Sequence, residues 1–158
     1  MQTEKVELKD AFSPKSEQRR TVVTPRIIIL RENGDFPLGR YKDSDWFGLP
    51  GGKAKEIETD SQSNFLSTGA FPTLTREVKE ECGIDISKDL EQAACLGLAE
   101  VGMVDGVNRQ ITLNYTPIFV CKRDNFSDVN PNTQLVNLHS HIPGPLFPDA
   151  RIALSTLK

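Results

Sequence analysis

Short runs of apolar residues along the chain predict β-strands separated by turns. Residues 21–30 form the first run, which ends in Ile27-Ile28-Ile29-Leu30 and predicts a buried strand, with Pro25 marking an edge or a bulge. The turn signal Asn33-Gly34 follows, and residues 36–46 are expected to return as an irregular strand. Three further strands are predicted at residues 93–104, 109–122 and 133–138, the first two joined by the hairpin signal Asp105-Gly106.

Two segments carry the apolar spacing of amphipathic helices. The first is predicted at residues 72–82, where Leu74, Val78 and Cys82 form one stripe at intervals of four residues. Pro72 suits a first helical turn, since its missing N–H bonds nothing there, and Gly83 is typical of the residue after a helix. The second is a closing helix at Pro148–Leu157. Strands mixed with two helices indicate a layered α/β or α+β domain.

Two segments have little apolar content. Residues 1–20 alternate charges and predict a polar N-terminal arm, with a short edge strand around Val6 and Leu8 as the alternative, so that residues 21–158 form a single domain. Residues 58–70 are rich in Ser, Thr and Asn and predict a surface loop.

Composition narrows the class of protein. The length of 158 residues suits one domain, and 26% charged residues with a net charge of −3 argue against a disordered chain. A pI near 5.4 argues against binding to a nucleic acid polymer, which usually needs a basic face. Three scattered Cys residues disfavour a disulfide framework. Since no signal peptide or membrane-spanning run is visible, we expect a cytoplasmic protein without a membrane partner.

The chemistry is concentrated on the first predicted helix, in the string Arg76-Glu77-Val78-Lys79-Glu80-Glu81-Cys82-Gly83-Ile84. The three Glu residues are spaced i, i+3 and i+4 and therefore share one helix face. Clustered carboxylates are the hard oxygen ligands that Mg²⁺ or Mn²⁺ prefers, and Arg76 can pair with Glu80 one turn on. The alternative is an ordinary solvated acidic surface.

This string resembles the second half of the Nudix box, G-x5-E-x7-R-E-U-x-E-E-x-G-U with U aliphatic, as found in MutT-like hydrolases. All seven specified positions of that half are met, and Leu49-Pro50-Gly51-Gly52 resembles the loop that opens the box. Five residues separate Gly52 from Glu58, as the pattern requires. Seventeen residues, not seven, separate Glu58 from Arg76, so the box carries an insertion around residues 60–70.

The resemblance implies a fold, an activity and a site. The fold is an α/β/α sandwich with a mixed sheet between helices. The activity is Mg²⁺-dependent, or Mn²⁺-dependent, hydrolysis of a pyrophosphate bond in a nucleoside diphosphate linked to another group. The implied metal ligands are the Gly52 carbonyl, Glu77, Glu80 and Glu81, and the implied catalytic residues are Arg76 as the orienting group and Glu77 or Glu80 as the base.

The interrupted box leaves an alternative open, a catalytically inactive nucleotide-binding or sensor module of the same fold. The insertion leaves the role of Glu58 undecided. The expected partner is a nucleotide-type small molecule, and a homodimer is possible.

Several residues outside the box are weaker candidates. A further acidic ligand could come from Glu100, Asp105 or Asp124. An aromatic ring could stack a base, although core packing is the favoured interpretation for each of Tyr41, Trp46, Phe47 and Phe71. The pair His139 and His141 makes an incomplete metal site, and Cys82 is interpreted as a core residue.

Overall fold

The computed structural model describes residues 3–4, 19–40, 45–55, 64–105, 110–126, 131–142 and 144–157. Within these ranges the chain forms eight strands and two α-helices. In chain order they are β1 (Thr3–Glu4), β2 (Arg19–Val23), β3 (Arg26–Leu30), β4 (Asp35–Arg40), β5 (Phe47–Gly48), α1 (Phe71–Cys82), β6 (Ala94–Asp105), β7 (Gln110–Lys122), β8 (Thr133–Asn137) and α2 (Pro148–Leu157). Short 3-10 turns lie at Thr68–Ala70 and Asp89–Gln92.

The larger sheet is built around β7 and is mixed. β6 pairs antiparallel with one edge of β7, while β2 and β3 pair parallel with the other edge, end to end. The predicted single strand at 21–30 is therefore two strands, interrupted at Thr24 and Pro25. Proline cannot donate to a sheet ladder, and this break leaves the Pro25 carbonyl free of β7 to accept a bond from the Gly52 N–H at 3.2 Å.

A second, smaller sheet is antiparallel, in the order β5, β4, β8. The predicted turn at Asn33-Gly34 is present, and Gly34 has the positive φ of 93° that such a turn requires. The turn does not close a hairpin, however, because β3 pairs with β7 while β4 pairs with β8. The strand after the turn, β4, therefore belongs to the smaller sheet because it pairs with β8, which is distant in sequence.

The two helices cover opposite faces of the larger sheet. Ile27 and Ile29 pack in one buried cluster with the apolar stripe of α1, whereas Ile28 packs in a second cluster with Ala150, Ala153 and Leu154 of α2. Alternation along a strand sends successive side chains to opposite faces, so β3 is buried on both. The predicted α/β/α sandwich with a mixed sheet between helices is confirmed.

Helix α1 follows the predicted pattern closely. Leu74, Val78 and Cys82 have no exposed surface, and Gly83 ends the helix at φ 71° with its N–H bonded to the Lys79 carbonyl. Burial, aided by the nearby Glu81 charge, raises the pKa of the Cys82 thiol to about 12, so it stays protonated. The interpretation of Cys82 as a core residue is confirmed.

Two polar segments differ from their predictions. The predicted arm contains β1, which pairs with β6, and the start of β2; Val6 and Leu8 lie outside the described residues, and the boundary at residue 21 stays a prediction. The surface loop predicted at 58–70 is wrong at its end, since Ala70 is fully buried and Phe65 packs on the α1 side of the core, while residues 58–63 lie outside the described residues. No helix in the described ranges is long and apolar enough to cross a membrane.

Candidate active site

The loop Leu49-Pro50-Gly51-Gly52 is fastened to the interruption between β2 and β3. The Ile27 N–H donates to the Pro50 carbonyl at 2.9 Å, and the Gly52 N–H donates to the Pro25 carbonyl. Gly51 has φ 138°, and a Cβ built on it would lie 2.1 Å from the Pro25 carbonyl oxygen. Glycine is required here because the loop backbone and the β2–β3 backbone touch directly.

Helix α1 brings two carboxylates onto this loop. A Cβ on Gly52 would lie 2.5 to 2.8 Å from the carboxyl atoms of Glu77, so that carboxylate packs against bare backbone. One helical turn later, Glu81 Oε2 accepts a bond from the Gly51 N–H at 3.3 Å. The Thr133 hydroxyl donates to the Glu81 carbonyl at 3.0 Å and so anchors the end of the helix to β8. Glu77 and Glu81 thus share one face with the loop, as the spacing predicts.

Arg76 connects the same helix face to the chain after the loop. Its Nη1 donates to Glu77 Oε1 at 2.8 Å and lies 3.4 Å from Glu80 Oε2, and its Nη2 donates to the Lys53 carbonyl at 3.1 Å. The predicted contact between Arg76 and Glu80 is therefore present. The side chain of Glu77 is 16% exposed and that of Glu80 is 56% exposed, so the two candidate bases differ in their access to solvent.

Glu81 is the most perturbed carboxyl group of the site. Burial raises its pKa to about 7, and the adjacent Glu77 adds to the rise through its charge and a hydrogen bond. The positive charge of Arg26 and the Gly51 N–H oppose this rise. Near neutral pH the carboxyl group is thus partly protonated and partly ionised.

The positive charge beside Glu81 comes from Arg26, which sequence reasoning missed together with its acidic partner Asp149. Arg26 opens β3, and its Nη1 donates to the Leu49 carbonyl at 3.0 Å and the Gly51 carbonyl at 2.8 Å. Its Nε lies 3.6 Å from Oδ2 of Asp149, in the first turn of α2. An available signal was a charged residue placed directly before three buried isoleucines, where burial is costly without partners.

The chain is similar in fold to several solved structures. The chain is similar to the MutT Nudix hydrolase of Burkholderia pseudomallei, with a TM-score of 0.55 and 22% identity over 88% of this chain and 99% of that one. It is similar to the dihydroneopterin triphosphate pyrophosphohydrolase of E. coli, with a TM-score of 0.60 and 19% identity over 84% and 92%. The chain has the Nudix fold. No protein-family model and no curated protein sequence matches it.

A third structure with the Nudix fold contains ligands. It is a bifunctional NMN adenylyltransferase/ADP ribose pyrophosphatase of Francisella tularensis complexed with AMP and a Mn ion. Its TM-score is 0.59 at 19% identity, over 87% of this chain and 41% of that one. At these identities the likeness establishes the fold, and the chemistry of this chain rests on its own residues.

The donors at the loop fit a hard divalent cation. In the part of the chain that the structure describes, no three His, Cys, Asp or Glu side chains gather closely enough to hold a metal. The Glu77 carboxylate, however, lies against the Gly52 backbone, where a Cβ would collide with it, and Glu81 accepts a bond from the Gly51 N–H. Two carboxylates within hydrogen-bond reach repel each other unless a proton or a cation lies between them, and oxygen donors suit Mg²⁺ or Mn²⁺.

The remaining acidic candidates fall in different places. Asp124 accepts a bond from the Glu32 N–H at 2.8 Å, beyond the end of β3 opposite to Arg26. Glu100 is half-buried in β6, and because its neighbour Ala99 packs on the α2 side, Glu100 faces the α1 side. Glu58 and the side chain of Asp105 lie outside the described residues. Glu100 is thus the better-placed of the described pair.

Among the aromatic candidates, Trp46 alone of those described is well exposed, at 44%. It lines a cavity of about 420 Å³ together with His141, Leu146 and Arg151. Phe47 is buried in the core, and Phe71 packs its ring against Phe119, so the core interpretation is confirmed for both. Tyr41 lies outside the described residues.

Proposed function

We propose that this protein is a divalent-cation-dependent hydrolase that cleaves a pyrophosphate bond in a nucleoside diphosphate linked to another group. The observation that carries the proposal is the contact of the Glu77 and Glu81 carboxylates with the Gly51-Gly52 backbone, beside Arg76. These groups bring hard oxygen donors and a guanidinium to one face of the Nudix fold, where a phosphoanhydride needs charge neutralisation.

The metal ligands are proposed to be the Gly52 carbonyl, Glu77, Glu80 and Glu81. When bound, Mg²⁺ or Mn²⁺ supplies neutralisation of the pyrophosphate charge and a lowered pKa for water. Arg76 keeps Glu77 and Glu80 in fixed rotamers through its contacts at 2.8 and 3.4 Å. A positioned carboxylate can then accept a proton with little reorganisation.

Glu80 is our first choice for the general base, ahead of Glu77. Glu77 accepts a bond from Arg76 at 2.8 Å, packs against Gly52 and is 16% exposed, so it has little access to solvent water. Glu80 is 56% exposed and can take a proton from water in the cleft and release it to solvent.

The substrate class is proposed from the cavity beside Trp46 and from the neighbouring structures. The E. coli protein is a dihydroneopterin triphosphate pyrophosphohydrolase, and the F. tularensis protein is in part an ADP ribose pyrophosphatase. We propose that a planar heterocycle stacks on the exposed Trp46 ring, at the cavity that Arg151 also lines. The cytoplasmic location and a homodimer stay predictions.

A second candidate is an inactive nucleotide-binding or sensor module, favoured by the insertion that separates Glu58 from Arg76. The two candidates differ in turnover. The enzyme should release phosphate or pyrophosphate from part of a nucleotide panel with Mg²⁺ or Mn²⁺, whereas the sensor should bind a nucleotide in calorimetry without consuming it.

The residue assignments are tested with Gln variants of Glu77, Glu80 and Glu81 on the best substrate of that panel. Loss of a metal ligand or base should lower kcat by about 100-fold or more. Glu91→Gln is the matched control, since Glu91 is an exposed carboxylate in the 3-10 turn at Asp89–Gln92. Equal activity of all four variants would refute the assignment.

A further inference from the structure

Arg26 is a buried cation with an unusual place in the sheet. It opens β3, directly before three isoleucines with no exposed surface, and its own side chain is 14% exposed. Burying a guanidinium is costly unless its donors find acceptors. The acceptors that Arg26 uses therefore indicate what this position requires.

Two of those acceptors are carbonyls of the candidate site loop. One nitrogen, Nη1, reaches the Leu49 carbonyl at 3.0 Å and the Gly51 carbonyl at 2.8 Å. Gly51 is held from its other side as well, because its N–H donates to Glu81 Oε2 at 3.3 Å. The Gly51–Gly52 peptide is planar, so fixing the Gly51 carbonyl also fixes the plane from which the Gly52 backbone continues.

The guanidinium also forms an ion pair with the second helix. Asp149, in the first turn of α2, lies 3.6 Å from Arg26 Nε and is 13% exposed. Arg26 thus links α2, on one face of the sheet, to the loop and to Glu81 of α1, on the other. Lysine could not reproduce this, because it offers a point charge on a flexible stem in place of a planar fork.

We propose that Arg26 is a positioning residue, oriented by Asp149, that sets the Gly51-Gly52 backbone in register with Glu81 and so assembles the cation site. The inference rests on the proposed function. Arg26 lies behind the loop and is nearly buried, so it acts through the loop and makes no direct contact with the substrate.

The test compares Arg26→Lys with a matched arginine outside the site. Arg123 donates to Asp89 Oδ2 at 2.7 Å and to the Asp85 carbonyl at 3.0 Å, so it also joins an acidic side chain and a backbone oxygen, just after β7. Both Lys variants should lower resistance to urea. Arg26→Lys alone should weaken Mn²⁺ binding, measured by electron paramagnetic resonance without substrate, by about 10-fold or more.

Steady-state kinetics give a second readout. Arg26→Lys should lower kcat by about 10-fold or more and leave KM within about 2-fold, while Arg123→Lys changes neither. Asp149→Asn keeps the shape of the side chain and should lower kcat in the same direction but by less. This variant also serves as the test if Arg26→Lys fails to fold.

The outcomes separate the two claims. Wild-type protein with no Mn²⁺ binding and no turnover would overturn the proposed function and this inference with it. An active wild type, with Arg26→Lys or Asp149→Asn matching the Arg123 control in Mn²⁺ affinity and kcat, would overturn the positioning role and leave the proposed function in place.

Discussion

Replacing Glu81 by Gln should stabilise the metal-free protein at alkaline pH. Burial raises the pKa of Glu81 from the ordinary 4.5 to about 7, so the folded protein holds this proton more tightly than the unfolded chain does. Stability from this group is therefore complete below about pH 4.5 and is lost as the pH rises towards 7. Above pH 7 the folded state carries the full cost of a half-buried carboxylate, which a neutral Gln avoids.

The size of the effect follows from the same pKa values. One pKa unit corresponds to about 1.4 kcal/mol, so the rise from 4.5 to about 7 sets an upper limit of about 3 kcal/mol. Part of the side chain meets solvent, and the Gly51 N–H loses a charged acceptor in the variant. We expect a gain of about 1–2 kcal/mol at pH 8 and almost none at pH 4.

The assay is urea unfolding followed by far-ultraviolet circular dichroism, with EDTA present, at pH 4 and pH 8. At pH 8, replacing EDTA by Mg²⁺ or Mn²⁺ should raise the midpoint of the wild type and not that of Glu81→Gln, because a ligand stabilises the state that binds it. Glu80→Gln is the control, since its exposed side chain should change the metal-free midpoint little at either pH. A loss of stability in Glu81→Gln at pH 8, or an equal gain at both pH values, would refute the reasoning.

Three further changes test the site and the core. Gly52→Ala should reduce turnover by about 10- to 100-fold, because its Cβ would displace the Glu77 carboxylate. Gly39→Ala is the control and should retain activity, because its Cβ would meet its nearest atom at 3.9 Å. Equal losses of activity in the two variants would contradict the prediction. Leu74→Ala should lower the free energy of unfolding by about 3 kcal/mol in urea titration, and a loss below about 1 kcal/mol would argue against its burial in the core. Trp46→Ala should raise KM for a nucleotide by about 10-fold with an unchanged urea midpoint, and an unchanged KM would remove Trp46 from the cavity's function.

Local patterns were sufficient for the helices and for the acidic face of the site. The closing helix lies at Pro148–Leu157 as predicted, and α1 begins one residue before its predicted start. Spacing along a helix is a local property, so the alignment of Glu77 with Glu81 follows from the sequence as soon as the helix is assigned.

Contacts between segments distant in sequence could not be predicted from such local patterns. The apolar pattern at 21–30 predicts one strand. The structural role of the break at Pro25 depends on the distant Gly51-Gly52 loop, because the Gly52 N–H bonds the Pro25 carbonyl there. Phe65 and Ala70 belong to a polar, loop-like sequence, yet they pack against the core because α1 begins directly after them.

The order of residues alone determined the amphipathic helix, the glycines that precede it and the three carboxylates, since these depend on interactions within a few residues. The tertiary structure decided that Glu77 and Glu81 contact the Gly51-Gly52 backbone and that the positive charge of Arg26 lies beside Glu81. Arg26 and Asp149 are 123 positions apart and share no sequence motif, so their meeting depends on α2 packing across the sheet from α1. Burial makes this contact important, because a guanidinium removed from water is costly unless carbonyls and an opposite charge lie close to it.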